Sequence, residues 1–279
     1  MKEYTSVVAI IARNETKYIQ ECILHNHILG FDKIIIVLHG EQDDDTREKI
    51  EQVKHIVDAD VLDLCHPIAD AKKSVRIGHQ KHGYRLALEK YKDRTEWLAL
   101  FDVDECLWIK GDSKINDLLS TVKKDVGLVW VPWLFFNHNN KVVSVPEEES
   151  RYSWFNRSYR SAMRGKSIIR TRMADFSHAG FHVHVPNTTG RMTDFGNRPW
   201  LGEMGNVEMC SVLKREVVLA HYFTGSMEDW VARNKRRAIR HSGIAFDVNM
   251  FLEHTHKAEM DNRMMQYHDQ MMELKSNIR

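Results

Sequence analysis

The chain has 279 residues, 43% of them apolar, and a formal net charge of +1 from 40 basic and 39 acidic side chains. That length suits one large domain or two small ones around a sizeable core, and the near-neutral balance excludes a dedicated nucleic-acid binder, which needs a basic excess against phosphate. No run approaches the roughly 18 apolar residues of a membrane span, the amino terminus lacks a signal-peptide pattern, and Cys22, Cys65, Cys106 and Cys210 are too scattered for a disulfide frame or zinc site, which together point to the cytoplasm.

Residues 6–12 (SVVAIIA) are a continuous apolar run rich in β-branched side chains, the pattern of a strand buried on both faces. A helix over 15–29 follows, with Ile19, Cys22, Ile23 and Ile28 near helical spacing, and Gly30 stops it. Residues 33–38 (KIIIVL) read as a second strand. The acidic turn 41–45 opens a short helix through Ile50 and Val53, and 57–64 is a third strand. A longer helix covers 74–91, and 97–102 (WLALFD) is a fourth strand. This alternation predicts an α/β fold with a mostly parallel, Rossmann-like sheet and helices on both faces, ligands lying beyond the carboxyl ends of the strands. The second half is less regular. Strands are expected at 127–133, 166–170, 180–185 and 217–222, with a loop at 135–138. A helix over 226–240 has Ser226 as N-cap and Glu228 and Asp229 in its first turn. A Met-rich helix spans 251–274. With no repeat and no Pro/Gly-rich linker, residues 1–279 read as one domain.

Two segments fall where ligands bind: Arg13-Asn14-Glu15 after the first strand and Asp102-Val103-Asp104 after the fourth. In extended chain, residues i and i+2 point to one side, so Asp102 and Asp104 can aim two carboxylates at one point. A hard cation, Mn²⁺ or Mg²⁺, takes such oxygens together with substrate phosphates. Bridging a diphosphate, it stabilises charge on a departing group. A bare D-x-D also occurs in solvated acidic turns; here the apolar strand before it and Cys106-Leu107-Trp108-Ile109 after it set the pair against core.

Further motifs follow in order. Arg13-Asn14-Glu15 precedes a helix holding residues 21–27 and Leu29-Gly30-Phe31. An acidic turn ends in D-x-T at residues 43–46. Trp97 leads to Asp102, Asp104 and Glu105. Trp133-Leu134-Phe135-Phe136 is followed by Arg151-Tyr152, by the lysine-led Gly165-Lys166-Ser167-Ile168-Ile169, and by His221-Tyr222 with Ser226, Glu228, Asp229 and Trp230. This series, over roughly 6–240, resembles the family 2 and family 92 glycosyltransferases of the GT-A type, in particular their bacterial and viral branch.

The resemblance implies metal-dependent, inverting transfer of a sugar from a UDP- or GDP-sugar to a glycan or lipid-linked acceptor, in cell-surface polysaccharide synthesis. It makes 1–110 the nucleotide-sugar half, 111–245 the acceptor and catalytic half, and 246–279 a C-terminal helix. It assigns donor contacts to Arg13, Asn14, Glu15 and Asp102, though a strand-end cap is the plainer role for Arg13 and Asn14. It adds His221 to Asp102 and Asp104 as metal ligands; a hydrogen-bonded core histidine is the alternative. Two positions depart from the pattern. Leu38-His39-Gly40 stands where an Asp or Asn contacts the base, and Gly225 replaces a lysine, which moves a phosphate contact to Lys235 or Arg236.

An inverting transferase needs a carboxylate base at the acceptor hydroxyl. The candidates are Glu203, Asp194 and Glu149, with Glu203 first because Trp200-Leu201-Gly202-Glu203 is similar to a base-bearing segment of some galactosyltransferases. Trp133, Phe135 and Phe136 suit either a sugar face or the core. His178, His182 and His184 suit acceptor or phosphate contacts better than zinc, since they lack the helical spacing of a zinc protease. Residues 43–45 read as a helix start rather than a ligand site. Lys235, Arg236, Arg237 and Arg240 form a basic face for donor phosphates, for anionic lipid at the inner membrane surface, or simply for solvent. The competing functions are a non-catalytic carbohydrate- or nucleotide-binding relative and a sugar nucleotidyltransferase. The latter wants a glycine-rich loop after the first strand, which this chain lacks. An aspartyl-phosphatase would carry its acid pair after the first strand, not the fourth.

Overall fold

The computed structural model describes residues 2–40, 42–64, 75–159, 164–175, 186–199, 215–240, 251–252 and 258–278; for 75–79 and 236–240 it describes the backbone alone. Four parallel strands, β1 (Tyr4–Ala12), β2 (Lys33–His39), β3 (Ala59–Leu64) and β4 (Thr95–Asp102), lie in the order β3-β2-β1-β4. Between them run α1 (Ile19–Ile28), α2 (Thr46–Glu51) and α3 (Val75–Tyr91).

Burial on both faces explains the unbroken apolar runs. Val8, Ile10, Ala12, Ile34 and Ile36 pack toward Ile19, Cys22, Ile23 and Ile50 of α1 and α2. Val7, Ala9, Ile11, Ile35 and Val37 pack toward Tyr84, Ala87, Leu88 and Tyr91 of α3. Each fully buried side chain of this kind stabilises the fold by about 1.5–3 kcal/mol. At Gly83, α3 approaches the sheet so closely that a Cβ would lie 2.4 Å from Ile11 Cδ1. The chain winds from β1 outward to β3, then returns to place β4 on the other side of β1. The carboxyl ends of β1 and β4 therefore flank a topological switch point, where open α/β sheets hold their ligands.

The remaining elements are β5 (Glu105–Ile109), α4 (Ile115–Ser120), β6 (Val126–Phe136), α5 (Arg151–Trp154), β7 (Arg157–Tyr159), β8 (Gly165–Arg170), β9 (Arg191–Thr193), β10 (Val217–His221), α6 (Met227–Arg240), β11 (Glu259–Met260) and α7 (His268–Ser276). β8 lies antiparallel between β4 and β6, and β10 lies antiparallel to β5 and parallel to β6. The sheet is thus mixed, not mostly parallel: among the described strands, five of ten pairings are antiparallel. Antiparallel neighbours need no crossover helix, so the second half lacks the alternating pattern that identifies the first.

Two expected elements differ. The loop at 135–138 begins later, because β6 continues through Phe136, where Phe135 and Phe136 pair with Tyr159 and Ser158 of β7. The single helix over 251–274 is broken. Strand β11 and a 3-10 turn (Arg263–Tyr267) precede α7, and Asp261 accepts the Ser158 hydroxyl at 2.6 Å and Arg263 Nε at 2.8 Å, tying the chain to β7. The strand expected at 180–185 lies outside the described residues. Among the described residues no helix is long and apolar enough to cross a membrane.

Candidate active site

At the end of β1, Asn14 takes a left-handed conformation (φ 53), which Asn tolerates better than most residues. Its side chain joins two loops. Oδ1 accepts Asp43 N at 3.0 Å, and Nδ2 donates to Asp43 Oδ2 at 3.1 Å. Glu15 N donates to Thr46 Oγ1 at 2.7 Å, and Asp44 Oδ1 accepts Thr46 N at 3.0 Å. Residues 43–45 therefore start α2 and latch the β1 loop to the β2 loop. Arg13 lies against Gly40 (φ +72), where a Cβ would sit 3.0 Å from Arg13 Nη1. The glycine after His39 leaves the room that this guanidinium fills. Arg13 Nε is buried without a hydrogen-bond partner among the described residues.

Asp102 ends β4 on the α3 side, following Leu98 and Leu100. Gln80 and Tyr84, one helical turn apart on α3, donate to its Oδ1 at 2.5 and 2.7 Å. Lys166 Nζ, wholly buried on β8, lies 3.0 Å from its Oδ2 and 3.6 Å from Glu105 Oε2. Burial alone would depress the Lys166 ammonium, but the Asp102 and Glu105 carboxylates outweigh it and hold it above its ordinary range. Burial pushes the Glu105 carboxyl well up, against the pull of Lys166.

Strand alternation would put Asp104 beside Asp102, but the strand stops first. Asp102 N donates to Glu105 Oε2 at 2.8 Å, and the chain turns through residues 103–104 before β5. Asp104 consequently faces β10 and α6. His221 Nε2 lies 3.6 Å from its Oδ1, and Arg233 Nη2 lies 3.3 Å from its Oδ2. The imidazole is walled by Trp133, Phe135 and Phe223, at ring distances of 4.6, 4.9 and 5.6 Å. His221 Nδ1 is buried without a hydrogen-bond partner among the described residues.

Two donors each about 2.1 Å from one ion lie roughly 3–4 Å apart, so the 3.6 Å between Asp104 and His221 fits a shared cation. One carboxylate with one imidazole suits Mn²⁺ better than Mg²⁺, which prefers oxygen alone. Asp102 was expected in the same set, yet among the described residues no three His, Cys, Asp or Glu side chains gather as ligands. Its carboxylate is directed to Lys166 instead.

Several motif residues build the frame of this site. Arg151, buried, donates from Nη1 to the Val103 carbonyl between the two acids at 3.0 Å and from Nε to Glu21 Oε1 at 2.6 Å. His25 Nε2 donates to the Leu107 carbonyl at 2.8 Å, which leaves Nδ1 to accept the Tyr152 hydroxyl at 2.7 Å. Burial lowers the His25 pKa to about 3, keeping it neutral. Ser226 and Asp229 form a reciprocal cap at the start of α6, with Ser226 N donating to Asp229 Oδ2 at 3.0 Å and Asp229 N to Ser226 Oγ at 3.1 Å. Gly225 (φ +60) is required beside it, since a Cβ would fall 2.8 Å from Asp229 Cβ.

Of the base candidates, Glu203 lies outside the described residues, as do His178, His182 and His184. Asp194 is clamped between Arg198 Nε at 2.9 Å and Arg215 Nη1 at 2.6 Å. Together with Ile109 and Val217, it lines a cavity of about 630 Å³ at the end of the β5–β10 pair opposite Glu105 and His221. Glu149 accepts Ser153 Oγ at 2.6 Å at the start of α5, beside Lys275 of α7. Phe136 and Trp133 are buried, and Phe135 is partly exposed. Lys235 is exposed on α6, whereas Arg233, two residues earlier and not singled out from the sequence, is the basic residue that reaches Asp104.

The sequence profile of glycosyltransferase family 92 matches residues 2–245. A glycosyltransferase family 92 protein of rice, Oryza sativa subsp. japonica, is 23% identical over 128 residues, or 45% of this chain; the match spans a fifth (20%) of the rice protein's length. Among solved structures, glucosyl-3-phosphoglycerate synthase from Mycobacterium tuberculosis, in complex with phosphoglyceric acid, aligns with a TM-score of 0.32 at 18% identity over 47% of this chain and 44% of that one. HddC from Yersinia pseudotuberculosis aligns with a TM-score of 0.35 at 9% identity over 84% and 99%.

Proposed function

The chain belongs to glycosyltransferase family 92, and from that premise we propose that it transfers a sugar from a nucleotide-sugar, a UDP- or GDP-sugar, to a glycan or lipid-linked acceptor on a GT-A type framework. The observation that carries this reading is the Asp104–His221 pair, 3.6 Å apart at the mouth of the β1/β4 switch point.

Asp104 and His221 are the residues that would hold Mn²⁺. When bound, the ion supplies Lewis-acid stabilisation of the charge that develops on the departing diphosphate. Asp102, anchored by Lys166, Gln80 and Tyr84, fixes the turn that presents Asp104, and its exposed edge is available to a donor hydroxyl. Arg13, at the end of β1, faces the nucleotide, while Asn14 holds its loop in place. Trp133 and Phe135 keep water from the rear of the imidazole, which strengthens electrostatic contacts in front of it. Transfer with inversion assigns the base to Glu203.

The test is release of nucleoside diphosphate from a panel of UDP- and GDP-sugars, with Mn²⁺, with a chelator, and after metal is restored. The expected result is turnover of one donor type that the chelator abolishes and Mn²⁺ restores. Failure of every donor to bind or turn over in Mn²⁺, or turnover indifferent to chelation, would sink the reading.

A further inference from the structure

We propose that Arg233 is a resident counter-ion of Asp104 that yields the carboxylate to an arriving divalent cation and transfers its own charge to the nucleotide diphosphate, so that metal and nucleotide bind as a unit. The inference rests on the reading of Asp104 and His221 as cation ligands.

Three observations carry it. First, Arg233 Nη2 is 3.3 Å from Asp104 Oδ2, while His221 Nε2 is 3.6 Å from Oδ1 of the same carboxylate. A dication shared by Asp104 and His221 would lie within a few ångströms of the guanidinium, and like charges so close in a partly desolvated site repel. Second, Arg233 lies at the rim and not in the core. Its side chain is 19% exposed, and the other described anchors are a hydrogen bond to the Phe223 carbonyl and a contact 5.9 Å from the Phe223 ring. Lys166 at Asp102 is wholly buried and shared with Glu105, so it cannot serve this way. Third, a cavity of about 20 Å³ is bounded by Tyr18, Asp104, Arg151, Tyr222, Asp229 and Arg233. That is room for about one water-sized species, not for a nucleotide, so a diphosphate paired with Arg233 would lie outside it.

The consequence is a sign. Without nucleotide, Arg233 opposes the cation; with nucleotide, it favours the complex, because the diphosphate neutralises both positive groups. A residue that merely packs α6 against Phe223 would act in one direction on both events.

The experiment measures Mn²⁺ affinity of the full chain by electron paramagnetic resonance, alone and with UDP or GDP, in wild type, Arg233→Met and Arg233→Lys. Arg233→Met is expected to bind Mn²⁺ alone about tenfold more tightly and nucleoside diphosphate with Mn²⁺ about tenfold more weakly. Arg233→Lys should recover much of the nucleotide affinity. Thermal denaturation of each variant checks that it is folded. If Arg233→Met leaves both affinities unchanged, or weakens both, the counter-ion role is overturned. Should Mn²⁺ bind wild type but not Asp104→Asn while Arg233→Met shows no change of sign, only this inference fails. Should wild type bind no Mn²⁺ with or without nucleotide, the metal-site reading fails with it.

Discussion

Asp102 and Asp104 stand two residues apart, and different parts of the sheet hold them. Asp102 meets Lys166, Tyr84 and Gln80, whose positions are fixed by a central strand and by a helix packed on the sheet. Asp104 meets His221 and Arg233 at the rim, and its arginine partner is long and partly exposed. The exposures of the two acids are similar, 19% and 25%, so accessibility alone does not separate them. What separates them is whether the cation beside each can leave. An acid with an immovable internal cation is part of the frame; an acid whose cation can swing away can accept another.

Removing each acid's cation is the sharpest way to break that comparison. Lys166→Met leaves Asp102 and Glu105 with an uncompensated buried charge, and a loss of about 3–5 kcal/mol in unfolding free energy is expected by denaturant titration. Arg233→Met, at the partly exposed pair, should cost less than Lys166→Met, because the Asp104 left behind can reach water. Equal costs would erase the distinction between frame and mouth.

A smaller effect concerns the buried support behind both acids. The unfolded His25 takes up a proton near its ordinary pKa of about 6.5, whereas the folded one resists protonation until about pH 3. Between those values the unfolded state binds more protons, so stability falls as pH drops through that window, by about 1.4 kcal/mol per unit. Above the window there is no contribution. His25→Gln should flatten this slope in urea titrations at pH 7, 6 and 5, and an unchanged slope would remove His25 as its source. A further modest effect belongs to the α6 cap. Gly225→Ala meets both the left-handed backbone and Asp229, and a loss of about 1–2 kcal/mol should appear as a lower Tm.

Strands β1, β2 and β4 are legible because burial on both faces writes itself as apolar runs, as in Val7 to Ala12 and Ile34 to Leu38, while the edge strand β3 carries Asp60 and Asp63. In the second half β6, β8 and β10 are legible for the same reason, but β5, β7, β9 and β11 are not, because strands of two to five residues carry no period of their own. At the candidate site, the D-x-D falls at the end of β4, where the sequence put it. The assumption that alternation continues past Asp102 fails, since it holds only inside a strand and β4 ends there. Lys166 and Arg233 were also within reach. A lysine opening an otherwise apolar strand needs a buried acid as partner. Arg233 follows Trp230 by three residues on the stripe of α6 that also buries Asn234, whereas Lys235 belongs to the denser basic run at 235–237. Arg151 and Asp229 stand in the motif series and, like His25, are supports in the structure; hydrogen bonds such as those to backbone at Val103 and Leu107 leave no trace in residue type.

The most direct measurement compares turnover of a nucleotide-sugar with thermal stability in Asp104→Asn. Loss of Asp104 as a cation ligand should lower kcat/KM by about 10³-fold or more, equivalent to roughly 4 kcal/mol, while the Tm stays within a few degrees of wild type. Turnover at the wild-type rate in a folded Asp104→Asn protein would contradict the account.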